Sequence, residues 1–345
     1  MTSANPRTER LDSINRSTSV ARGPACVALA GAALLLGTLV LPLDAQSTEK
    51  STAQSTAHSA RGRQWGQATS VDPGGRLGIN TAAGEGCPAE SPDGHMLFFA
   101  STRAGGFGPG TNDIWVAFRP TRHSPWSAPV NVGEPVNSIA NDFCPSPLPG
   151  NQLLFVSSRG NQCGGAANNP DIYYTRLQPN GVWLAPQHLG CDVNSGFEEF
   201  SPSLVQAHGR TLLYFSSNRL GTHDIFVSAL KDDGTWSSAE PVAELNSGLQ
   251  DSRPNVRKDG LEIVFDSTRD GGLPQIYTAT RASVFKRWSE PRRLDANVNI
   301  EGFTQSRPNI SRDGERLYFG SSRPDPETGT VNDLYVATRR RPGRH

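Results

Sequence analysis

The 345-residue sequence lacks an excess of either charge, because 33 lysines and arginines balance 33 aspartates and glutamates. A balanced chain has no net field to attract nucleic acid or an anionic membrane surface, so we expect no nucleic-acid partner. Only two methionines occur, and after the first fifty residues no long segment repeats apolar residues at helical spacing. This absence argues against a helical bundle.

Common catalytic motifs are also missing. The sequence has no Gly-x-Ser-x-Gly, no His-Glu-x-x-His, no phosphate-binding Gly-Lys-Ser/Thr and no calcium loop, and its seven histidines share no position. We therefore expect no cofactor and no bound metal. Glycine and proline are plentiful instead, at 35 and 26 residues. This composition is typical of many short strands joined by turns and predicts an all-β fold.

The first 45 residues have the composition of a signal peptide. Four arginines precede an uncharged stretch rich in Ala and Leu at residues 25–43, and a small residue follows at Ala45. An uncleaved anchor is the alternative, because about 18 apolar residues approach the length of a membrane span. Either interpretation makes the rest of the chain periplasmic or secreted. Residues 46–63 are predicted to be a flexible linker, and residues 341–345 form a basic tail.

One pattern repeats five times between residues 64 and 340. Each copy contains a polar residue, a proline three positions later, a glycine turn, an apolar run, Ser-x-Arg, and a strand with an aromatic residue. We interpret each copy as four strands, the first following the proline, so the repeat predicts a five-bladed β-propeller of four-stranded antiparallel blades. The aligned prolines, spaced by 52 to 57 residues, are Pro88, Pro145, Pro202, Pro254 and Pro308.

The two ends of the repeat region complement each other. Tryptophan marks the closing strand of the first four copies, and the fifth copy lacks this strand, whereas Trp65 precedes the first copy. We therefore expect the N-terminal strand to complete the last blade. Such closure removes the free sheet edges that promote association between chains, and we expect a monomer.

The pattern Pro…Ser-Pro-Asp-Gly…Phe-x-Ser-x-Arg…Asp-Ile-Tyr/Trp resembles the TolB-type, WD-like propeller repeat of bacterial envelope proteins. The first copy shows it as CPAESPDGHMLFFASTR followed by NDIWVAFR. The resemblance covers about residues 65–340 and implies the propeller fold. It also implies a role as a protein-binding platform, as a domain of a larger envelope protein or beside a peptidase domain. This chain has five copies where TolB has six.

Five polar residues precede the aligned prolines by three positions. Strand order places them around one mouth of the central channel, on the face that we call the top. Their side chains can fix the loops through hydrogen bonds, bind a cation or a basic peptide end, or act as acid and base, and all three interpretations stay open. These residues are Glu85, Asp142, Glu199, Asp251 and Gln305.

The arginine of Ser-x-Arg recurs together with an aspartate that begins the third strand, which predicts a salt bridge inside each blade. In the fourth copy Gln275 stands where this aspartate is expected, so Arg269 lacks the partner and joins the candidate binding residues at the channel mouth. The predicted salt bridges are Arg103–Asp113, Arg159–Asp171, Arg219–Asp224 and Arg323–Asp333.

Four cysteines follow the signal segment, and an even number in an oxidising compartment favours disulfides. Three pairings are open. We favour Cys163–Cys191, because both lie in loops of the second blade on one face. Cys87 and Cys144 occupy equivalent sites in neighbouring blades, and a bridge between them requires Cα atoms within about 7 Å.

These features favour an exported, non-catalytic binding module that engages a protein, a peptide or an envelope glycan through its top face. The longest loops between second and third strands lie on that face, at residues 104–112, 160–170 and 324–332. Loops on a rigid scaffold are common sites of recognition. The alternative is a glycan-active hydrolase that uses carboxylates at the channel mouth, because five-bladed propellers also carry glycosidases. The fold alone does not decide between them.

Overall fold

The structure describes nearly all of the predicted repeat region. A computed structural model describes residues 64–160, 162–325, 329–330 and 332–339. The predicted signal peptide, linker and basic tail lie outside these residues. In the part of the chain that is described, no helix is long and apolar enough to cross a membrane.

In the described residues, twenty strands form five four-stranded antiparallel sheets, and a short 3-10 segment at Pro73–Gly75 lies between the first strand and the second. The outermost strands have two residues each: β1 (Thr69–Ser70), β5 (Val130–Asn131), β9 (Gln187–His188), β13 (Glu240–Pro241) and β17 (Arg292–Arg293). The innermost strands are β2 (Glu85–Glu90), β6 (Asp142–Leu148), β10 (Glu199–Ala207), β14 (Asp251–Val256) and β18 (Gln305–Ile310). The second strands are β3 (Met96–Ser101), β7 (Gln152–Ser157), β11 (Arg210–Ser217), β15 (Glu262–Ser267) and β19 (Arg316–Ser321). The third strands are β4 (Asp113–Phe118), β8 (Asp171–Arg176), β12 (Asp224–Ala229), β16 (Gln275–Thr280) and β20 (Asp333–Thr338).

The five sheets close into a ring. Each innermost strand contacts the innermost strand of the next blade, and β18 contacts β2. The channel at the centre is lined by residues of these five strands. This is the five-bladed β-propeller that the repeat predicts.

The second strand of each blade forms the core, because it lies inside its own sheet and between neighbouring sheets. This position explains the nearly continuous apolar run in each copy, which is typical of strands buried on both faces. A phenylalanine with no exposed surface marks the same site in all five blades: Phe99, Phe155, Phe215, Phe265 and Phe319.

The N-terminal strand completes the last blade, as predicted, since β1 pairs antiparallel with β20. Side chains strengthen this junction. Asn80 accepts a hydrogen bond from the Leu334 N–H (2.9 Å) and donates one to the Leu334 carbonyl (3.2 Å). Trp65 is buried, and the guanidinium of Arg339 lies 4.2 Å from the centre of its ring.

The innermost strands begin earlier than predicted, at the polar residue and not after the aligned proline. Each strand has a bulge around its proline. Because proline has no N–H donor, a bulge on an edge strand accommodates it without losing a ladder hydrogen bond. The residue before each proline has a left-handed backbone with φ between 46° and 56°: Cys87, Cys144, Ser201, Arg253 and Arg307.

Candidate functional site

The top face is formed by the loops between second and third strands and by the loops that join one blade to the next. Strand register brings three polar residues together beneath these loops. In the third blade Glu199 lies opposite Ser217, which lies opposite Asp224. We call such a trio the polar row of a blade. The other polar rows are Glu85–Ser101–Asp113, Asp142–Ser157–Asp171, Asp251–Ser267–Gln275 and Gln305–Ser321–Asp333.

The five residues predicted to ring the channel mouth form the inner ends of the polar rows, and all five are buried. In four blades the Ser-x-Arg arginine pairs with this inner acid. The binding role predicted for the five residues stays a prediction, and Arg269 has an acidic partner in its own blade like the others. The pairs are Arg103–Glu85 (2.8 Å), Arg159–Asp142 (2.6 Å), Arg219–Glu199 (2.8 Å) and Arg269–Asp251 (2.5 Å).

Glu199 shows how firmly an inner acid is held. Its carboxylate accepts hydrogen bonds from the Ser195 N–H (2.9 Å), the Ser195 hydroxyl (2.6 Å) and the Ser217 hydroxyl (2.7 Å). Burial raises the pKa of Glu199, while these serines and Arg219 oppose the rise. Each of these partners belongs to the propeller itself, so this carboxylate fixes the loop that leads into β10.

The paired arginines also hold the loop that enters their blade. The guanidinium of Arg219 lies 4.8 Å from the centre of the Phe226 ring and donates a hydrogen bond to the Val193 carbonyl (2.7 Å). The same combination of ring contact and carbonyl contact recurs at Arg103, Arg159 and Arg269. Each arginine therefore links two strands to the preceding loop.

The predicted salt bridges to the third-strand aspartates are wrong. Inner acids occupy Arg103, Arg159 and Arg219, and Arg323 lies over the Tyr335 ring instead. Asp113 instead accepts a hydrogen bond from Asn131 (2.9 Å), and Asp171 lies 3.1 Å from His188 Nε2. Burial raises the pKa of both Asp113 and Asp224. The pairs that the described structure does not form are Arg103–Asp113, Arg159–Asp171, Arg219–Asp224 and Arg323–Asp333.

The fifth blade is the one whose polar row lacks an inner acid. Gln305 is uncharged, its Nε2 lies 3.4 Å from the Ser321 hydroxyl, and its buried Oε1 has no hydrogen-bond partner among the described residues. Arg323 lies 3.5 Å from the centre of the Tyr335 ring. The arginine without an inner acid is therefore Arg323, whereas the sequence indicated Arg269.

Asp333, at the outer end of this fifth polar row, has an unusual acidity. Burial raises its pKa to about 6, and the negative charges of Glu85, Asp325 and Asp72 add to the rise. The Thr330 hydroxyl donates a hydrogen bond to Asp333 (2.7 Å) and favours the charged form.

Sequence reasoning missed an asparagine that connects consecutive blades. Asn194 accepts a hydrogen bond from the Ile172 N–H (2.8 Å) and donates one to the Ile172 carbonyl (3.1 Å) in the preceding blade. The detectable signal was an apolar residue followed by Asn, five or six positions before each inner polar residue. The equivalent residues are Asn80, Asn137, Asn246 and Asn299.

Both anticipated disulfides are present. Cys87 and Cys144 (Cα atoms 4.7 Å apart) join the innermost strands of the first two blades. Cys163 and Cys191 (5.5 Å) join the long top-face loop of the second blade to the loop that leads into the third blade. The same two loops also meet at Gly165, where an added Cβ would collide with the carbonyl of Gly196.

The channel is narrow where the left-handed residues and the prolines meet. The cavity at this level has a volume of about 30 Å³ and is lined by residues of all five innermost strands. This volume holds about two water molecules. A sugar ring does not fit into it.

Large apolar side chains are exposed on the top-face loops, and we call them the apolar tips. They lie on three pairs of loops: Phe107 and Ile139, Phe197 and Leu220, and Leu249 and Leu273. Hydrogen bonds from backbone N–H groups to side chains join the loops of the second and third pairs. Glu198 N–H donates to Asn218 Oδ1 (2.9 Å) beside the second pair, and Gln250 N–H donates to Thr268 Oγ1 (3.2 Å) beside the third.

The exposed charges on the top-face loops are mainly negative, although Arg293 of β17 lies 3.7 Å from Asp270. Among the described top-face loops, Arg76 is the one exposed basic residue. The exposed acidic residues are Glu134, Asp192, Asp270, Asp295 and Glu301.

Several solved structures share the fold. The chain is 13% identical to an α-L-arabinofuranosidase from Podospora anserina, solved with cellotriose, over 82% of this chain and 98% of that one (TM-score 0.52). An endo-arabinanase from Bacillus licheniformis is 15% identical over 74% and 93% (TM-score 0.50). TolB from Acinetobacter baumannii is 16% identical over 74% and 54%, with a TM-score of 0.41 from which we draw no conclusion. No protein-family model and no curated protein matches the chain. At these identities the likeness shows the propeller fold alone.

Proposed function

We propose that this chain is a non-catalytic binding module that engages a protein or peptide through the apolar tips of its top face. The observation that carries the proposal is the gathering of six exposed, large apolar side chains on the loops of one face. Exposed apolar patches of this kind commonly mark protein-binding sites. The propeller beneath them is a rigid scaffold for recognition loops.

The chemistry of the apolar tips favours a protein over a glycan. Four of the six are the aliphatic residues Ile139, Leu220, Leu249 and Leu273, and Ile139 is 83% exposed. Aliphatic side chains offer neither a flat ring nor a hydrogen bond to a hydroxyl-rich sugar. The negative charges around the tips favour basic residues on the partner, because complementary charge steers association.

The geometry of the carboxylates supports binding over glycan hydrolysis. A glycosidase requires two carboxyl groups that reach the substrate, about 5 to 9.5 Å apart. Here the charged residues at the inner ends of the polar rows are buried, and each faces an arginine. The cavity of about 30 Å³ also does not admit a sugar ring.

The two disulfides support a role outside the cytoplasm. Disulfides persist in oxidising compartments and are rare in the cytosol. We therefore place the binding module in the periplasm or outside the cell, together with its partner.

The test compares two matched sets of substitutions. The top-face variant carries Ile139→Ser, Phe197→Ser and Leu249→Ser. The control variant carries Phe118→Ser, Val182→Ser and Phe285→Ser, three exposed apolar residues at the opposite ends of the blades. Each protein is immobilised and incubated with envelope extract, captured proteins are identified, and their dissociation constants are measured. We expect the top-face variant to bind a specific partner at least tenfold more weakly, while the control variant binds as the wild type does.

Equal binding by the wild type and the top-face variant would contradict the proposal, as would an equal loss in the control variant. A parallel assay offers arabinan and arabinoxylan to the wild type. Release of sugar without any captured protein would contradict the binding module and support the glycan-active hydrolase.

A further inference from the structure

The residues that narrow the channel differ between the two sides of the ring. In the first three blades the left-handed residue is Cys87, Cys144 or Ser201. The cysteines form a disulfide, and the Ser201 hydroxyl lies 3.3 Å from the sulfur of Cys144. In the last two blades the left-handed residue is Arg253 or Arg307, and both line the central cavity. Two positive side chains from neighbouring blades therefore meet in the channel.

One carboxylate accepts hydrogen bonds from both arginine residues. Asp266 is fully buried on β15. Its Oδ1 accepts a hydrogen bond from Arg253 Nη1 (2.8 Å), and its Oδ2 accepts one from the backbone N–H of Arg307 (2.7 Å). Both oxygens are thus occupied without using the guanidinium of Arg307. One negative charge beside two positive charges leaves this part of the channel with a net positive charge.

Most N–H donors of the Arg307 guanidinium make no hydrogen bond to the described residues. Among the described residues its one hydrogen bond is a long one, from Nη1 to the Ser306 hydroxyl (3.4 Å), whereas an arginine carries five N–H donors. Gly86 gives the side chain room, since a Cβ there would lie 3.2 Å from Arg307 Cδ. Burial and the charge of Arg253 lower the pKa of Arg307 to about 10, so it stays protonated at neutral pH.

The cavity beside these donors limits the size of a ligand. Its volume of about 30 Å³ accommodates about two water molecules, and hence one chloride ion or the two oxygens of one carboxylate group. We infer that Arg253 and Arg307 form an anion site in the central channel that binds a small monovalent anion of this size. A guanidinium with free donors suits such a ligand, because charge-assisted hydrogen bonds to anions are the strong ones.

The experiment measures the unfolding midpoint while gluconate is replaced stepwise by chloride or formate at constant ionic strength. Gluconate exceeds the cavity in size, so the exchange changes the available ligand and leaves screening constant. An anion that binds the folded state raises stability with its concentration. We expect this rise with both chloride and formate, and we expect it to saturate as the site fills. Arg307→Gln should weaken the apparent anion affinity at least tenfold. Arg292→Gln, which removes an exposed arginine from β17, should leave it unchanged.

A bromide-soaked crystal of the wild type provides a test that does not depend on a variant. We expect an anomalous peak between the guanidinium groups of Arg253 and Arg307. An empty channel in that crystal overturns the inference. So does an undiminished response in folded Arg307→Gln.

Discussion

Leu245 and Leu249 lie four residues apart in the loop before β14, yet they belong to different layers of the molecule. Leu245 is fully buried, whereas Leu249 is 43% exposed as one of the apolar tips. Between them, Ser247 donates hydrogen bonds to Asp251 through its backbone and its hydroxyl. The same division into a buried polar row and exposed tips recurs along the top face.

The two layers follow different constraints. Each blade has to fix the loop that enters it, and the polar rows do this in nearly the same way in the first four blades. The apolar tips differ from blade to blade because no contact inside the propeller dictates them. Repetition therefore identifies residues with a structural role, and departures from it identify candidates for binding. Gln305, Arg253 and Arg307 are such departures within the framework itself.

Breaking a polar row should have the largest effect. Glu199→Ala leaves the largely buried Arg219 without its acid, and we expect a loss of about 3 kcal/mol in the free energy of unfolding. Gln305→Ala is the matched control in the fifth blade, where no buried charge loses a partner, and should cost about 1 to 2 kcal/mol. Denaturant unfolding of both variants measures the difference. Equal losses would show that the charge pair is not what distinguishes the first four blades.

Removing the disulfides separates the framework from the binding loops. The bridges close segments of 57 and 28 residues, and loss of either should cost about 3 to 4 kcal/mol in chain entropy. Cys163→Ala/Cys191→Ala should also weaken binding at the top face, because it releases a loop that packs beside Phe197. Cys87→Ala/Cys144→Ala should leave that affinity unchanged. Equal changes in the affinity for the captured partner in the two double variants would contradict this distinction between framework and binding loops.

The pH dependence of stability tests the role of Asp333 in the polar row of the fifth blade. Its folded pKa of about 6 lies above the ordinary value of 3.8, so the folded state binds a proton more readily than the unfolded state. This carboxyl therefore costs little stability at pH 4. It destabilises the fold progressively as the pH rises towards 6, by about 2 to 3 kcal/mol once the pH exceeds 6. Asp333→Asn should match the wild type at pH 4 and exceed its stability at pH 7.5. A difference that does not change with pH would contradict the raised pKa.

The repeat made the blade number and the seam predictable, because five copies in register leave one arrangement of strands. The partner of each arginine was not predictable in the same way. Glu85 and Asp113 both recur near the same end of the blade as Arg103, and the sequence shows recurrence without showing which acid the guanidinium reaches. The structure settles this in favour of Glu85, which lies at the end of the adjacent innermost strand.

The bulges and the exposure of the apolar tips could not be predicted from the sequence, for two other reasons. A residue with a left-handed backbone before a proline has no recognisable sequence signature when it is Cys, Ser or Arg. The sequence therefore predicts a later start for the innermost strands than the structure shows. The exposure of a loop residue depends on contacts with other blades. Leu245 precedes Asn246 in the apolar-Asn pair that recurs in every copy, which indicates a structural role, whereas nothing in the local sequence shows that Leu249 is exposed.

These two leucines give the comparison with the smallest expected change in stability. Leu249→Ala removes a side chain that is already partly in water, so the free energy of unfolding should change by less than about 0.5 kcal/mol. Leu245→Ala opens a cavity in the core and should cost about 2 to 5 kcal/mol. The affinity of the captured partner should move the opposite way, with a loss in Leu249→Ala and no change in folded Leu245→Ala. A large destabilisation by Leu249→Ala would mean that this tip belongs to the framework, and the division between the two layers would not hold in the fourth blade.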